Sequence, residues 1–267
     1  MIAALPMYDF GELRAAHDAL WSAIAERLAA AGVADVPTRL TCDIEHREIW
    51  RHPQLLLGQA CEYPLAKSFG QHVMIVATPG YSAPGCVGLL YKSAVIVRAD
   101  DPAESLDSLR GQRCAVNELD SNSGMNLLRA ALAPLADGAQ FFGSVTISGS
   151  HRRSVEMIAA NKADVAAIDC VTFAHLQRID PALTHRVRVL SWTPPSPCLP
   201  FVTARSTSAA TLAHLRSALA DVFVDPGLAQ VRRQLLLEAV DLAPDITLKR
   251  VLKLEQDAVR SGYQHVH

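Results

Sequence analysis

The residues best suited to chemistry are hydroxyl side chains that stand where a predicted strand gives way to a predicted helix. Ser121 and Ser123 follow the apolar run 114–116 and precede the helix-like segment 126–132. Two hydroxyls beside the N–H groups of a helix start can hold an anion without a formal positive charge. The same pattern also fits a simple helix N-cap, which needs only one hydroxyl. The turn is therefore either an anion site or a cap.

Two further junctions of the same type follow along the chain. Ser150 and His151 lie between the strand-like run 142–147 and a helical segment, and Asp169 ends the next predicted strand. Strands that alternate with helices predict a parallel sheet, in which the loops after the strand ends meet on one rim and bind ligands. We therefore expect one rim to carry all the side chains named so far: Ser121, Ser123, Ser150, His151 and Asp169.

Two earlier junctions offer aromatic and acidic side chains. Tyr8 stands between the predicted first strand, 1–7, and a helix, where it suits either a ligand contact or a hydrophobic staple. Glu62 and Tyr63 follow three leucines that predict a buried strand, and a solvated loop is the alternative reading of that turn. Cys61 could be a nucleophile, but no particular histidine is linked to it in the sequence, and an inert thiol fits better.

The composition is that of a globular protein without an obvious polymer partner. The 267 residues are 50% apolar and 19% charged, with a net charge of −2, so the basic stripe of a nucleic-acid binder is missing. No apolar run reaches the roughly 18–20 residues that cross a membrane. The six cysteines never form C-x-x-C, so we expect buried thiols and neither a metal site nor a cofactor.

The order of the predicted elements divides the chain unevenly. Two strands, 72–78 and 93–99, precede a regular alternation over 103–191, and a proline-rich connector follows at 192–200. A strand at 201–204 and helices near 208–223, 226–238 and 247–260 complete the chain. These positions predict an inserted inner lobe, 97–199, and a discontinuous outer lobe made of 1–96 plus 200–267.

Five segments, in this order and spacing, resemble a known family over roughly residues 55–205: YKSAVIV at 91–97, SLDSLRGQRCAV at 105–116, SNSG at 121–124, SGSH at 148–151 and NKADVAAID at 161–169. The chain is similar to the substrate-binding proteins of phosphonate- and phosphate-type ABC transporters. The resemblance implies the α/β type 2 periplasmic-binding-protein fold, with two lobes, each a mostly parallel sheet flanked by helices, and a ligand cleft between them.

The resemblance also implies site residues. The serine-rich turn of the family falls on Ser121, Asn122 and Ser123, followed by Gly124, where Asn122 replaces the usual threonine. The cleft histidine falls on His151, a cleft tyrosine on Tyr91, and Asp169 matches the position after the last inner-lobe strand. Tyr63 and Tyr8 compete for the aromatic contact of the first lobe.

Residues and resemblance together predict a solute-binding protein, not an enzyme, that closes on a small anionic or zwitterionic ligand, phosphonate- or phosphate-like, for an ABC transporter permease. The turn and His151 would hold the anionic end, and Asp169 and Glu62 would accept from an ammonium group. The resemblance implies a periplasmic protein. The start of the sequence, however, lacks the pattern of an export signal, which predicts a cytoplasmic chain if Met1 is the native start.

Two other functions fit parts of the pattern. A cytosolic enzyme on the same fold, acting on a small carboxylic acid as menaquinone-pathway enzymes do, would explain the lack of an export signal. No nucleophile and base stand out in the sequence, however. The sensor domain of a transcription regulator would need an attached helix-turn-helix, and residues 1–60 predict a strand and a capped helix instead.

Overall fold

The computed structural model describes residues 1–42, 44–136, 140–242 and 247–266. Its strands are β1 (Ile2–Ala4), β2 (Leu55–Gln59), β3 (Val73–Tyr81), β4 (Leu90–Tyr91), β5 (Ser93–Arg98), β6 (Arg113–Val116), β7 (Ser144–Ile147), β8 (Val165–Asp169), β9 (Val187–Trp192), β10 (Ser196–Pro197), β11 (Phe201–Ala204) and β12 (Leu237–Asp241).

The α-helices are α1 (Arg14–Ala30), α2 (His46–Arg51), α3 (Glu62–Pro64), α4 (Leu127–Ala136), α5 (His151–Ala159), α6 (Cys170–Ile179), α7 (Pro181–Thr184), α8 (Ala209–Val224), α9 (Ala229–Gln234) and α10 (Thr247–Arg260). Two turns have π-helical winding, Leu65–Phe69 and Asn122–Asn126. Short 3₁₀ turns occupy Pro6–Tyr8, Gly11–Leu13, Asp107–Leu109 and Pro226–Leu228.

Contacts divide the chain into two units. Unit 1 consists of Met1–Ser82, Val87–Leu89 and Pro197–Thr247, and unit 2 of Ala83–Cys86, Leu90–Ser196 and Leu248–His267. No helix in the described parts of the chain is long and apolar enough to cross a membrane.

Unit 1 is built on a sheet whose described strands have the order β1-β2-β11-β3-β12. β1 and β2 are parallel, whereas β11 runs antiparallel to β2 and β3, and β12 antiparallel to β3. Leu20, Ile24 and Leu28 recur every four residues on α1 and are all buried, because this spacing places them on one helix face. α1 packs against α8 and brings this face into the core.

Unit 2 is built on a second sheet, with the described strands in the order β7-β6-β8-β5-β9. The core of the sheet is fully buried at Val95, Ile96, Val165 and Ile168. β6 is parallel to β7 and to β8, and only β5 runs against its neighbours β8 and β9. Four of the five described strands therefore point the same way, as expected for a parallel sheet.

The mostly parallel arrangement predicted for both lobes is weaker in unit 1, where β11 and β12 oppose the other three strands. A crossover helix is what makes successive strands parallel. α4 and α5 supply such crossovers between β6, β7 and β8. β5 and β11 instead enter their sheets straight after the chain passes from one unit to the other, so nothing imposes the common direction on them.

Two segments of the chain differ from the sequence prediction. The helix expected over 226–238 ends at Gln234, because Leu236 takes a left-handed backbone conformation, φ 59°, and the chain continues as β12 along the edge of β3. The bounds of the predicted lobes also differ from the contact-defined units: β5 and α10 belong to unit 2, although 93–96 and 247–260 were expected in the outer lobe. Val251, Ala258 and Tyr263 are buried there, which explains why this segment stays with unit 2.

Candidate functional site

The serine-rich turn in unit 2 begins a helix with unusually wide winding. Ser121 is its N-cap, and its Oγ accepts a hydrogen bond from the Gly124 N–H at 3.0 Å. Asn126 N–H donates to the Ser121 carbonyl, five residues back, and Leu127 N–H does the same to Asn122. Such π-type turns are rare and often occur at functional sites. Ser121 is therefore the helix N-cap, and its role as a ligand contact stays a prediction. The Ser123 hydroxyl has a different partner.

Ser123 is paired with the histidine that sequence reasoning placed on the same rim. The Ser123 Oγ lies 2.8 Å from His151 Nε2 and 3.5 Å from the Ser121 Oγ. The carbonyl of Ser123 accepts from the buried Ser93 hydroxyl at 2.9 Å. Ser123 also lies in the first turn of its helix, where backbone N–H groups have no acceptor within the helix. Two hydroxyls, an imidazole and a helix start thus converge at one point.

The electrostatics of this cluster are set by burial. Loss of solvent around His151 lowers its pKa to about 4, and the nearby Ala167 backbone opposes the shift only in part. The imidazole is therefore neutral at pH 7, so one ring nitrogen carries hydrogen and the other carries a lone pair. In the tautomer that carries hydrogen on Nε2, the ring donates to Ser123 and leaves that hydroxyl able to donate to a ligand. The cluster can then bind an anion with neutral donors alone.

Gly124 allows the turn to lie close to the end of β6. A Cβ at this position would lie 1.7 Å from the Asn117 Oδ1 and 3.2 Å from the His151 Cε1. Any side chain here would push Asn117 or the imidazole away. Glycine is therefore required for the spacing between Ser123 and His151.

Asn122 and Tyr91, two predicted ligand contacts, are both fully buried. The Asn122 side-chain amide donates to the Tyr91 hydroxyl at 3.1 Å and to the Ser196 hydroxyl at 2.8 Å. Its Oδ1 accepts from the Asn126 side chain at 2.9 Å. All hydrogen-bonding groups of the Asn122 side chain thus have partners within unit 2. These contacts explain why an amide suits the middle of the turn: it holds the turn in place.

Ser150 and Asp169 are helix caps in the structure. The exposed Ser150 Oγ accepts from the Arg153 N–H at 3.1 Å at the start of α5. The buried Asp169 Oδ1 accepts from the N–H groups of Val171 and Thr172 at 2.8 and 2.9 Å at the start of α6. Asp169 also pairs in register with Ser93, whose hydroxyl reaches Ser123. The rim is therefore connected from Asp169 to His151.

The remaining predicted contacts, Tyr8, Glu62 and Tyr63, are buried residues of unit 1. The Tyr8 ring packs edge-on against Tyr81, with ring centroids 5.4 Å apart, and the Tyr81 hydroxyl accepts from the Gln59 amide at 2.7 Å. Glu62 is fully buried and Tyr63 nearly so, with the Lys67 ammonium 5.8 Å from the Tyr63 ring centroid. Whether any of the three predicted residues contacts a ligand stays a prediction.

The described part of the chain contains no group of three or more His, Cys, Asp or Glu side chains arranged to hold a metal ion.

Comparison with known proteins identifies the family of this chain. The model of a family described as the periplasmic substrate-binding protein of phosphonate ABC transporters matches residues 2–244. The chain belongs to this family. Its members are substrate-binding components of ABC transporters and not enzymes, so the predictions of family, solute-binding role and absence of catalysis are confirmed, and the enzyme alternative has no support.

Solved structures of low sequence identity share the fold. PhnD1 from Prochlorococcus marinus, solved with methylphosphonate, is 14% identical with a TM-score of 0.76, covering 97% of this chain and 98% of that chain. The binding protein component of an ABC phosphonate transporter from Pseudomonas aeruginosa is 16% identical with a TM-score of 0.75, covering 98% and 87%. A Xanthomonas citri protein bound to ATP is 16% identical with a TM-score of 0.72, covering 100% and 99%. The predicted α/β periplasmic-binding-protein fold is thus confirmed. The search of curated proteins found no match.

Sequence reasoning missed several side chains that support the family's serine turn in this chain. Ser93, Ser196 and Asn126 all hydrogen-bond to the turn and are all fully buried. Asn126 had a detectable signal, because it lies four residues after Asn122 and so on the same helix face. Ser93 and Ser196 had none, since only the tertiary fold brings them to residues 30 and 74 positions away.

Proposed function

We propose that this protein is the solute receptor of an ABC transporter permease in the periplasm, and that it binds a small ligand carrying a phosphonate or phosphate group. The observation that carries the proposal is the 2.8 Å contact between the Ser123 Oγ and His151 Nε2 at a helix start capped by Ser121. The two hydroxyls and the helix N–H groups form a donor set that matches the several oxygens of a tetrahedral anion, and the imidazole orients the Ser123 hydroxyl.

The donors of this site are neutral, and they are strong enough to bind an anion. A hydrogen bond to a charged group contributes about 1.5–3 kcal/mol, so three of them supply roughly 4.5–9 kcal/mol before the entropic cost of association is subtracted. The helix start adds favourable dipole interactions with negative charge. Because Ser121 and Ser123 are buried, water competes weakly with the ligand for these donors.

Asp169 extends the proposal to zwitterions. Asp169 pairs in backbone register with Ser93, whose hydroxyl donates to the Ser123 carbonyl, and an ionised carboxylate accepts only. An ammonium group on an aminoalkylphosphonate would complement it, while the phosphonate end occupies the Ser123 side of the rim. Glu62 is the corresponding candidate acceptor in unit 1.

The test is calorimetric titration of the purified protein with methylphosphonate, inorganic phosphate and 2-aminoethylphosphonate. We expect Ser123→Ala to weaken binding of the best of the three at least tenfold, which corresponds to about 1.4 kcal/mol. Ser123 is not the cap, so this variant should keep its fold. Ser208→Ala is the matched control: it removes a serine hydroxyl from the N-cap of α8 in unit 1, which is not among the predicted ligand contacts, and should leave affinity within about twofold.

The outcomes separate the parts of the proposal. Full affinity in Ser123→Ala would show that the turn is not the anion site. No binding of any of the three probes by the parent protein would contradict the ligand class. Asp169→Asn should selectively weaken 2-aminoethylphosphonate relative to methylphosphonate, and equal losses for both would remove Asp169 as the ammonium partner.

A further inference from the structure

Two cysteines that the proposed ligand site does not use face each other within unit 2. The Sγ atoms of Cys86 and Cys170 lie 3.4 Å apart, although the residues are 84 positions apart in sequence. Cys86 is half-buried, whereas Cys170 is 1% exposed. No disulfide joins them in this structure. Two thiols in van der Waals contact, one of them reachable from solvent, form a potential site of oxidation.

The backbone around both thiols is held in place by packing and not by the sulfur contact alone. Residues 83–86 form a tight turn closed by a hydrogen bond of 2.9 Å from Cys86 N–H to the Ala83 carbonyl. Gly85 in this turn has φ +101°, and a Cβ there would lie 2.6 Å from the Trp192 ring and 3.0 Å from the Cys170 Cβ. On the other side, the Cys170 N–H donates to the Lys92 carbonyl at 3.2 Å. The turn is thus pressed against the start of α6.

We propose that Cys86 and Cys170 form an intramolecular disulfide when the protein meets a disulfide oxidant. In the first step, the Cys86 thiolate attacks one sulfur of the oxidant, and the other sulfur leaves as a thiolate. In the second step, Cys170 loses its proton and attacks the Cys86 Sγ of the mixed disulfide, releasing the second oxidant thiolate. Overall, two protein thiols lose two electrons and two protons, and the disulfide oxidant becomes two thiols.

The order of the two steps follows from exposure. Cys86 is the more accessible thiol, so the oxidant reaches it first. The hydrogen bond to Cys86 and burial raise the pKa of Cys170, which makes it a poor first nucleophile. Bond formation needs the sulfurs to move from 3.4 Å to about 2.05 Å, a shift that side-chain rotation can supply.

The Cys86–Cys170 pair is separate from the residues of the proposed ligand site. Cys170 directly follows Asp169, the N-cap of α6, and Cys86 belongs to the turn that leads from Ser82 of unit 1 into unit 2. The bond would tie this turn covalently to the strand–helix junction of β8 and α6. Of the other four cysteines, Cys114 and Cys198 are buried, Cys61 is half-buried, and Cys42 is exposed, so the expectation of buried thiols is wrong for Cys42.

The direct test uses the full chain, oxidised glutathione and intact mass. After oxidation, denaturation and alkylation with N-ethylmaleimide, we expect two of the six cysteines to carry neither N-ethylmaleimide nor glutathione, and a peptide map should contain a cross-linked pair with Cys86 and Cys170. Six alkylated cysteines, or a cross-link that joins any other pair, would overturn the proposal. This measurement needs no variant and therefore does not depend on how a mutant folds.

Variants provide the second arm of the test. In Cys86→Ser, each of the five remaining cysteines should carry N-ethylmaleimide or glutathione. No internal cross-link should form. Cys61→Ser is the matched control, because Cys61 is half-buried like Cys86, and it should still form the bond. The oxidised parent should melt roughly 5–10 °C higher than the reduced parent, because the bond closes a long loop. An internal cross-link that persists in Cys86→Ser, or an unchanged melting temperature after complete oxidation, would contradict the inference.

Discussion

At the scale of single residues, the proposed site at Ser123 and His151 would hold an anion without a cation. The imidazole is kept neutral by burial, which lowers its pKa to about 4, and the hydroxyl next to it is oriented by a 2.8 Å hydrogen bond. Ser–His pairs at this distance also serve as nucleophile and base in enzymes. Here the pair stands in a family of binding proteins, so it is better understood as a donor pair fixed in direction.

The neutral state of His151 makes stability depend on pH. The pKa is about 4 in the folded protein against 6.5 in a model peptide, so the unfolded chain binds the proton first as pH falls. The free energy of unfolding should therefore decrease between about pH 6.5 and pH 4. His151→Gln should flatten this slope when urea unfolding is measured at several pH values.

Part of the slope should survive in His151→Gln, because burial also lowers the pKa of His17. In the double variant His17→Gln/His151→Gln, the free energy of unfolding should depend on pH still less. A slope unchanged by His151→Gln would mean that the imidazole is hydrated and charged in the folded protein.

At the scale of elements, α10 supports the start of α4. The Asn126 side chain donates to the Val251 carbonyl at 3.3 Å and accepts from the Arg129 guanidinium. Arg129 is 3% exposed, donates to the Gln264 carbonyl at 3.0 Å and lies 3.8 Å from Glu255. Because Asn126 in turn donates to Asn122, a continuous chain of hydrogen bonds runs from the C-terminal segment to the serine turn.

Arg129→Met should remove the contacts of the guanidinium with Asn126, Gln264 and Glu255 while keeping the length of the side chain. We expect a loss of about 2–4 kcal/mol in the free energy of unfolding, because Asn126 and Glu255 lose a buried cationic partner. Chemical denaturation monitored by circular dichroism measures this change in the free energy of unfolding. Lys253→Ala removes an exposed i,i+4 ion pair with Asp257 from α10 and should cost no more than about 0.5 kcal/mol. Equal effects of the two substitutions would show that the Arg129 contacts contribute little.

Sequence patterns predicted the elements around the site well, because the signals there are local. The junctions at Ser121, Ser150 and Asp169 are all real helix starts, since N-caps act within three residues. The Arg129 contacts could not be predicted, because they require α10 to pack on α4 across more than a hundred residues. Tyr81 was missed for a related reason: β3 continues through Pro79 only because the edge strand β12 pairs with it there.

At the scale of the whole molecule, both units are discontinuous in sequence. Unit 2 takes its last piece, Leu248–His267, from the C-terminus after β12 has completed the sheet of unit 1. Tyr263 is fully buried in that piece although it lies near the end of the chain. The C-terminal segment is therefore part of the framework of unit 2.

Removal of residues 248–267 should loosen the serine turn. We expect faster hydrogen exchange at the backbone amides of 121–129, because Asn126 and Arg129 lose their partners in the deleted segment. Exchange in β1 and β2 of unit 1 provides the internal control and should change much less. Equal protection of 121–129 in the truncated and full chains would contradict a supporting role for this segment.

The π-type winding of Leu65–Phe69 and Asn122–Asn126 should make these two turns sensitive to the insertion or deletion of a residue. In an α-helix each residue turns the chain by about 100°, so a change of length by one residue turns everything that follows by that angle. Deleting Met125 would break the hydrogen bonds that the Asn126 and Leu127 N–H groups donate to carbonyls five residues back. Met125→Leu keeps the count and should cost less than about 1.5 kcal/mol. Over these five residues, chain length should be constrained more tightly than side-chain identity, and comparing the stability of the deletion with that of the substitution would show it.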